Sequence, residues 1–256
     1  SPFALLERPG VTAVPLAADG TRTQSGAPIR RPELTYYQHT SDVTALVQRL
    51  GAGPYRLSGA AGLDLGNVDD AVLFAAWSVV VFYNLATEPP RNLTLFDGLE
   101  LVAPGSDAST TLSGFLVPGL ATRSRLGIIA YEGDQSSVGD ALLFGGAPLS
   151  DAQNPSNNFF NASRSRLGGS LSPPGELPQL SGAAGSMIGL DLDDVDVTPL
   201  LNPGQRSIDI RATSQEDVFF IGALVTSLST TLAGLLTEKT WANVTRIILN
   251  GADWFA

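Results

Sequence analysis

Turn residues cut this chain into short apolar runs, and that segmentation limits what it can fold into. Gly takes 27 and Pro 17 of the 256 positions. With Asn and Asp they interrupt the apolar stretches throughout. The longest run, Ala71–Tyr83, is itself broken by Ser78. It falls short of the roughly 20 residues that cross a bilayer as a helix, so no transmembrane segment is expected. Short runs bounded by turn signals read as strands. The expected strands are Phe3–Glu7, Val11–Leu16, Tyr55–Leu57, Val72–Tyr83, Asn92–Phe96, Leu99–Val102, Thr111–Val117, Leu126–Tyr131, Ala141–Phe144, Ser207–Ala212, Val218–Leu228 and Val244–Leu249. Little helix is expected. Ser41 is placed to cap a short one carrying Val43, Leu46, Val47 and Leu50 at i, i+3, i+4 and i+7. Leu228–Leu236 is a second helix candidate. The fold class that follows is all-β.

Composition narrows the chemistry. The formal net charge of −10 repels phosphate backbones, which argues against nucleic acid as a partner. The chain has no Cys, so disulfides, thiolate nucleophiles and Cys-ligated metals are excluded. Its one His, His39, excludes a multi-His metal centre and leaves one candidate base for a Ser-His-Asp triad. No Gly-x-Ser-x-Gly elbow, phosphate loop or Gly-x-Gly-x-x-Gly fingerprint occurs. No catalytic signature is left, and an enzyme is not expected. Charged residues make up only 16%, against roughly 25% in ordinary soluble domains. Low Lys, the missing Cys and abundant Gly, Ser, Thr and Asn suggest an exported bacterial protein, secreted or held at the cell surface.

One stretch is echoed. Asp42-Val43-Thr44-Ala45-Leu46-Val47 returns as Asp196-Val197-Thr198-Pro199-Leu200-Leu201, each copy followed by a Gly turn and a strand. Asp42 and Asp196 are expected to cap a single helical turn, with Gly permitting the reversal after it. The second copy, Asp-Val-Thr-x-Leu-Leu-x-Pro-Gly and then a strand, resembles the late part of the galactose-binding-like jelly roll. Leu126–Tyr131 and Ala141–Leu149 resemble its earlier strand pair. The stretches Ala76–Tyr83 and Arg91–Gly98 resemble the N-terminal region of exported bacterial surface proteins that carry repeat domains. The resemblance implies two jelly-roll-like antiparallel β-sandwiches in tandem and no particular activity.

The expected division is a sandwich at 1–120 and a second at 121–256 with a long polar loop at 150–185. The first half lacks a counterpart of the strand Leu126–Tyr131, and the chain has a surplus strand near its end. Two readings follow. Residues 243–250, with Val244, Ile247, Ile248 and Leu249, complete the first domain, within one chain or by exchange between chains. Alternatively they form the last strand of the second domain.

Acidic residues cluster at turns. Asp191, Asp193 and Asp194 offer hard oxygen ligands suited to Ca²⁺, as do Glu132 with Asp134, and Asp64 with Asp69 and Asp70. The alternative is a solvated acidic loop in which Asp196 only caps a turn. Tyr36 and Tyr37, and Phe159 and Phe160 within the polar loop, are candidates for a contact surface and, with Tyr55, for a sugar-stacking platform. The other reading of the Phe pair is an anchor that packs the loop down. The expected function is an extracellular structural or adhesive protein that self-associates, joined into filaments or a surface layer by strand donation. The alternative is a carbohydrate-binding module, stabilised by Ca²⁺.

Overall fold

The computed structural model describes residues 3–29, 31–60, 72–85, 87–231 and 245–254. The chain is all-β, with 48% of residues in strands and 6% in helix. In chain order come β1 (Phe3–Arg8), β2 (Val11–Ala17), β3 (Gly20–Ser25), β4 (Leu34–Asp42), the helix α1 (Thr44–Leu50), β5 (Arg56–Ser58), β6 (Ala75–Val81), β7 (Arg91–Val102) and β8 (Ala108–Ser113). There follow β9 (Arg125–Tyr131), β10 (Ala141–Phe144), β11 (Ala147–Pro148), β12 (Arg164–Arg166), β13 (Gly169–Ser170), β14 (Leu190–Asp196), β15 (Ser207–Thr213), β16 (Phe219–Ser229) and β17 (Thr245–Trp254).

The chain divides into two compact units, Ser1–Leu85 with Thr240–Ala256, and Ala86–Lys239. This corrects the boundary expected at 120. β7 pairs with β16 and β8 with β15, which commits both strands to the second unit.

The first unit holds two sheets, ordered β2-β1-β5 and β3-β4-β17-β6. β1 and β2 form a hairpin, and Gly10 supplies the positive φ of 78° in its turn. Leu6 packs with Val43 and with Leu46 of α1, and Val14, Leu16, Val47 and Leu57 close around them. Arg8 reaches the far end of the helix and donates to the Gly51 carbonyl at 3.0 Å, satisfying an acceptor the last turn leaves open. β17 lies between β4 and β6 and pairs antiparallel with both. Ile247 stands opposite Ser41 and Val79, and Leu249 opposite His39 and Trp77. Val244 lies outside the described residues, as do Asp64, Asp69 and Asp70.

The second unit has sheets ordered β11-β10-β15-β8 and β13-β12-β14-β9-β16-β7. Both contribute to one hydrophobic core. Leu112, Leu142, Phe144, Ile208 and Ile210 come from the first sheet, and Leu126, Ile128, Val195, Phe219 and Leu224 from the second. β16 lies between β9 and the edge strand β7, and its nearly unbroken apolar sequence matches burial on both faces. β12 pairs parallel with β14.

The echoed Asp-Val-Thr segments take the same local form. The Asp42 carboxylate accepts the Thr44 amide at 2.8 Å, and the Asp196 carboxylate accepts the Thr198 amide at 2.9 Å. A helical turn follows each, α1 in one case and the 3₁₀ turn Thr198–Leu200 in the other. Ser41 belongs to β4 and not to a helix cap. The helix expected from Leu228 begins inside β16 as strand, and its residues from 232 onward lie outside the described ones.

Candidate functional site

Two of the expected acidic ligands lie in the core of the second unit. β14 alternates, so Asp191, Asp193 and Val195 share a face. Its register with β9 sets Asp191 beside Ala130, Asp193 beside Ile128 and Val195 beside Leu126, on the core side of the sheet. Both carboxylates are buried. Asp194 falls on the opposite face, where it accepts from Arg125 at 2.6 Å and lies 3.7 Å from Arg166. Asp134 is exposed, and Glu132, at a φ of 73°, donates its amide to the Gly189 carbonyl. The expected set therefore separates, and only Asp191 and Asp193 remain together.

Other residues join them. The loops 132–140, 149–163 and 214–218 bring buried Asp140, Asn154, Asn158, Asn161, Ser163 and Asp217 to the core of this unit. Asp191 Oδ1 accepts the amides of Asn161 at 3.0 Å and Ser163 at 3.2 Å. Asp140 Oδ1 accepts the Phe160 amide at 2.9 Å. Asp193 Oδ1 accepts from Ser165 Oγ at 2.6 Å and Ser163 Oγ at 3.3 Å, and Asn154 bridges the two serines. Asp217 accepts the Val218 amide at 2.7 Å. In each of these four carboxylates Oδ2 is buried without a hydrogen-bond partner, and so are the amide oxygens of Asn158 and Asn161. None of the four enters an ion pair among the described residues. The nearby Arg164 turns away, to Glu176 and the carbonyls of Leu171 and Leu180.

Burial without a cation penalises charge. It pushes Asp140 up to about 6 and Asp217 to about 7, the latter also through the charges of Asp134 and Asp140. Asp193 rises to about 7 by burial, against the pull of its Ser and Asn hydrogen bonds. Asp191 lies well above the ordinary carboxylate range, through burial first and then the charge of Asp193.

The aromatic candidates need correction. Phe159 and Phe160 are both 0% exposed. Phe160 stacks on Phe219 with centroids 4.1 Å apart, and Phe159 meets Phe160 edge-on at 5.2 Å. The pair anchors the loop into the core, because two Phe rings release more free energy buried than displayed. Tyr36 and Tyr37 are buried as well. Tyr36 stacks on Phe74 and donates its hydroxyl to the Val72 carbonyl at 3.0 Å. His39 belongs to the first unit and meets Thr21 Oγ1 at 2.9 Å.

Sequence reasoning missed Asp140, Asp217 and the Asn and Ser shell. The signal was the polar string Asn157-Asn158-Phe159-Phe160-Asn161-Ala162-Ser163-Arg164-Ser165. Polar residues that flank buried rings must find partners inside. Among the described residues no three acidic or His side chains enclose a metal position by themselves, and no helix is long and apolar enough to cross a membrane. No protein-family model, curated protein or solved structure matches the chain, so its reading rests on its own residues.

Proposed function

We propose that this chain is an exported bacterial structural or adhesive protein that self-associates at the cell surface. The observation that carries the reading is the place of β17. A central strand of the first unit's four-stranded sheet comes from beyond the whole second unit in sequence. Backbone pairing of this kind is indifferent to which copy supplies the strand. A strand given to a neighbour leaves the donor's own sheet open for the next, so the contact is head-to-tail and propagates.

The edge of the same sheet adds support. β6 exposes Trp77, Val79 and Val81 at alternate positions, 36–47% accessible. An apolar edge strand is a surface for further pairing. The sparse charge of the chain suits packing of copies against one another. The tandem jelly-roll arrangement belongs to this proposal, supported by the shared two-sheet core of the second unit. Glycan binding has less behind it, since four of the five aromatic residues expected to stack on sugar are buried, and the fifth, Tyr55, is half-buried against the core of the first unit.

Light scattering on a concentration series, with electron microscopy, tests the assembly. The expected result is linear oligomers that grow with concentration and are suppressed by an excess of a synthetic peptide spanning 245–254. A chain that remains monomeric across the series overturns the reading.

A further inference from the structure

The last strand of a sheet offers unpaired backbone groups to another chain, and most such strands in this molecule are blunted. β11 and β13 are two residues long, and β5 three. β2 carries Pro15, β3 carries Arg22, and β7 carries Asp97 and Glu100. β8 turns Ser109, Thr111 and Ser113 to solvent. β6 uses none of these devices. Among the described residues it ends the sheet β3-β4-β17-β6, as seven residues without charge, Pro or Gly. Its exposed positions are Ala75, Trp77, Val79 and Val81.

A second observation lies at the middle of the strand. Ser78 points to the face opposite Trp77 and Val79, and its Oγ is buried without a hydrogen-bond partner. A buried hydroxyl left unpaired is costly, and this one stands at the centre of an open edge. Antiparallel pairing about a two-fold axis at Ser78 sets that residue opposite itself. Trp77 then opposes Val79, and Ala75 opposes Val81. Directly opposite residues share a face with Cβ atoms about 4.5–5.5 Å apart, so the two hydroxyls reach each other and each indole meets the other copy's valine. A slip of one residue sets inward positions against outward ones, and a slip of two parts the serines.

We propose that β6 pairs antiparallel with β6 of a second copy, with Ser78 on the two-fold axis, joining two four-stranded sheets into one. No charge opposes another along this seven-residue ladder, so like can meet like without repulsion. A foreign apolar strand would cap the same edge, but only the strand itself supplies both the second serine and the mirrored Trp–Val pairs. The contact rests on the self-association reading for its occupant, yet it uses β6 and not β17. It is isologous and closes at two copies, where strand donation propagates.

The chain has no Cys, so a single introduced thiol reports on its own copy across the contact. The test uses the full chain as Trp77→Cys, Val79→Cys and Val81→Cys, all at exposed positions, treated with a short bismaleimide and read on a denaturing gel. Residues 77 and 79 each lie diagonal to their own copy, about 7–8 Å away. Residue 81 is six positions from its own copy along the ladder, about 20 Å away. Trp77→Cys and Val79→Cys should therefore give covalent dimers at least about tenfold more efficiently than Val81→Cys. Adding Trp77→Lys to Val79→Cys installs the edge lysine that β6 lacks and should remove the link. A link from neither 77 nor 79, or a yield at 81 equal to theirs, overturns the proposal. Links at 77 and 79 without linear growth in light scattering uphold this contact and overturn strand donation. Linear growth without the links does the reverse.

Discussion

At the scale of single residues, the second unit sets two kinds of charge side by side. Asp194 and Arg125 pair on the half-open face of the sheet. Arg125→Ala should cost no more than about 1 kcal/mol in urea unfolding, since such pairs are screened by water. Phe160→Ala removes a fully buried ring stacked on Phe219, and the same assay should show a loss of about 3–5 kcal/mol. The inward carboxylates give a pH dependence of unusual sign. Asp140, Asp193 and Asp217 titrate near 6–7 when folded, above the ordinary carboxylate value of about 4. A raised folded pKa means that the contribution to stability is complete below about pH 4 and is lost as pH climbs through the folded values. In EDTA, the urea midpoint should therefore fall from about pH 4 to about pH 7. A midpoint that rises steadily across this range would contradict the assignment.

At the scale of elements, β17 and β14 carry most of the information. Without β17, the facing backbones of β4 and β6 lose their ladder partners, and unpaired buried amides are costly. A chain ending before residue 241 should show fast amide exchange in β4 and β6, while β9 and β16 remain protected. Unchanged protection in β4 would show that the strand is dispensable. These two strands also mark what the sequence made legible. Apolar strands such as β9, β10 and β16 stand out because their residues alternate or run together between turns. β14 does not, because Asp191 and Asp193 occupy inward positions where the pattern calls for aliphatic side chains. It reads as an acidic loop for the very reason that makes it interesting. β4 was hidden similarly, by Gln38, His39 and Thr40 in the middle of a strand that is largely buried. The candidate site was half legible. Its two β14 carboxylates are visible in the sequence, whereas Asp140 and Asp217 stand 51 and 26 positions from Asp191 and are brought in only by tertiary folding.

At the scale of the whole molecule, the two units differ in how the chain supplies them. The second is continuous in sequence, and its sheets can close once residue 229 is in place. The first waits for β17. Pulse-labelled refolding should therefore protect β9 and β16 before β4 and β6, and a fragment covering 86–239 should fold alone with near-native circular dichroism. Failure of that fragment to fold would show that the units depend on each other. The same connectivity has a mechanical side. β1 and β17 both belong to the first unit, and the second hangs as a loop between β6 and β17. Tension applied at residues 3 and 254 travels through the first unit and bypasses the second until the first has torn. The second unit then becomes a reserve of contour length, released only after the host yields, as a shock absorber would be.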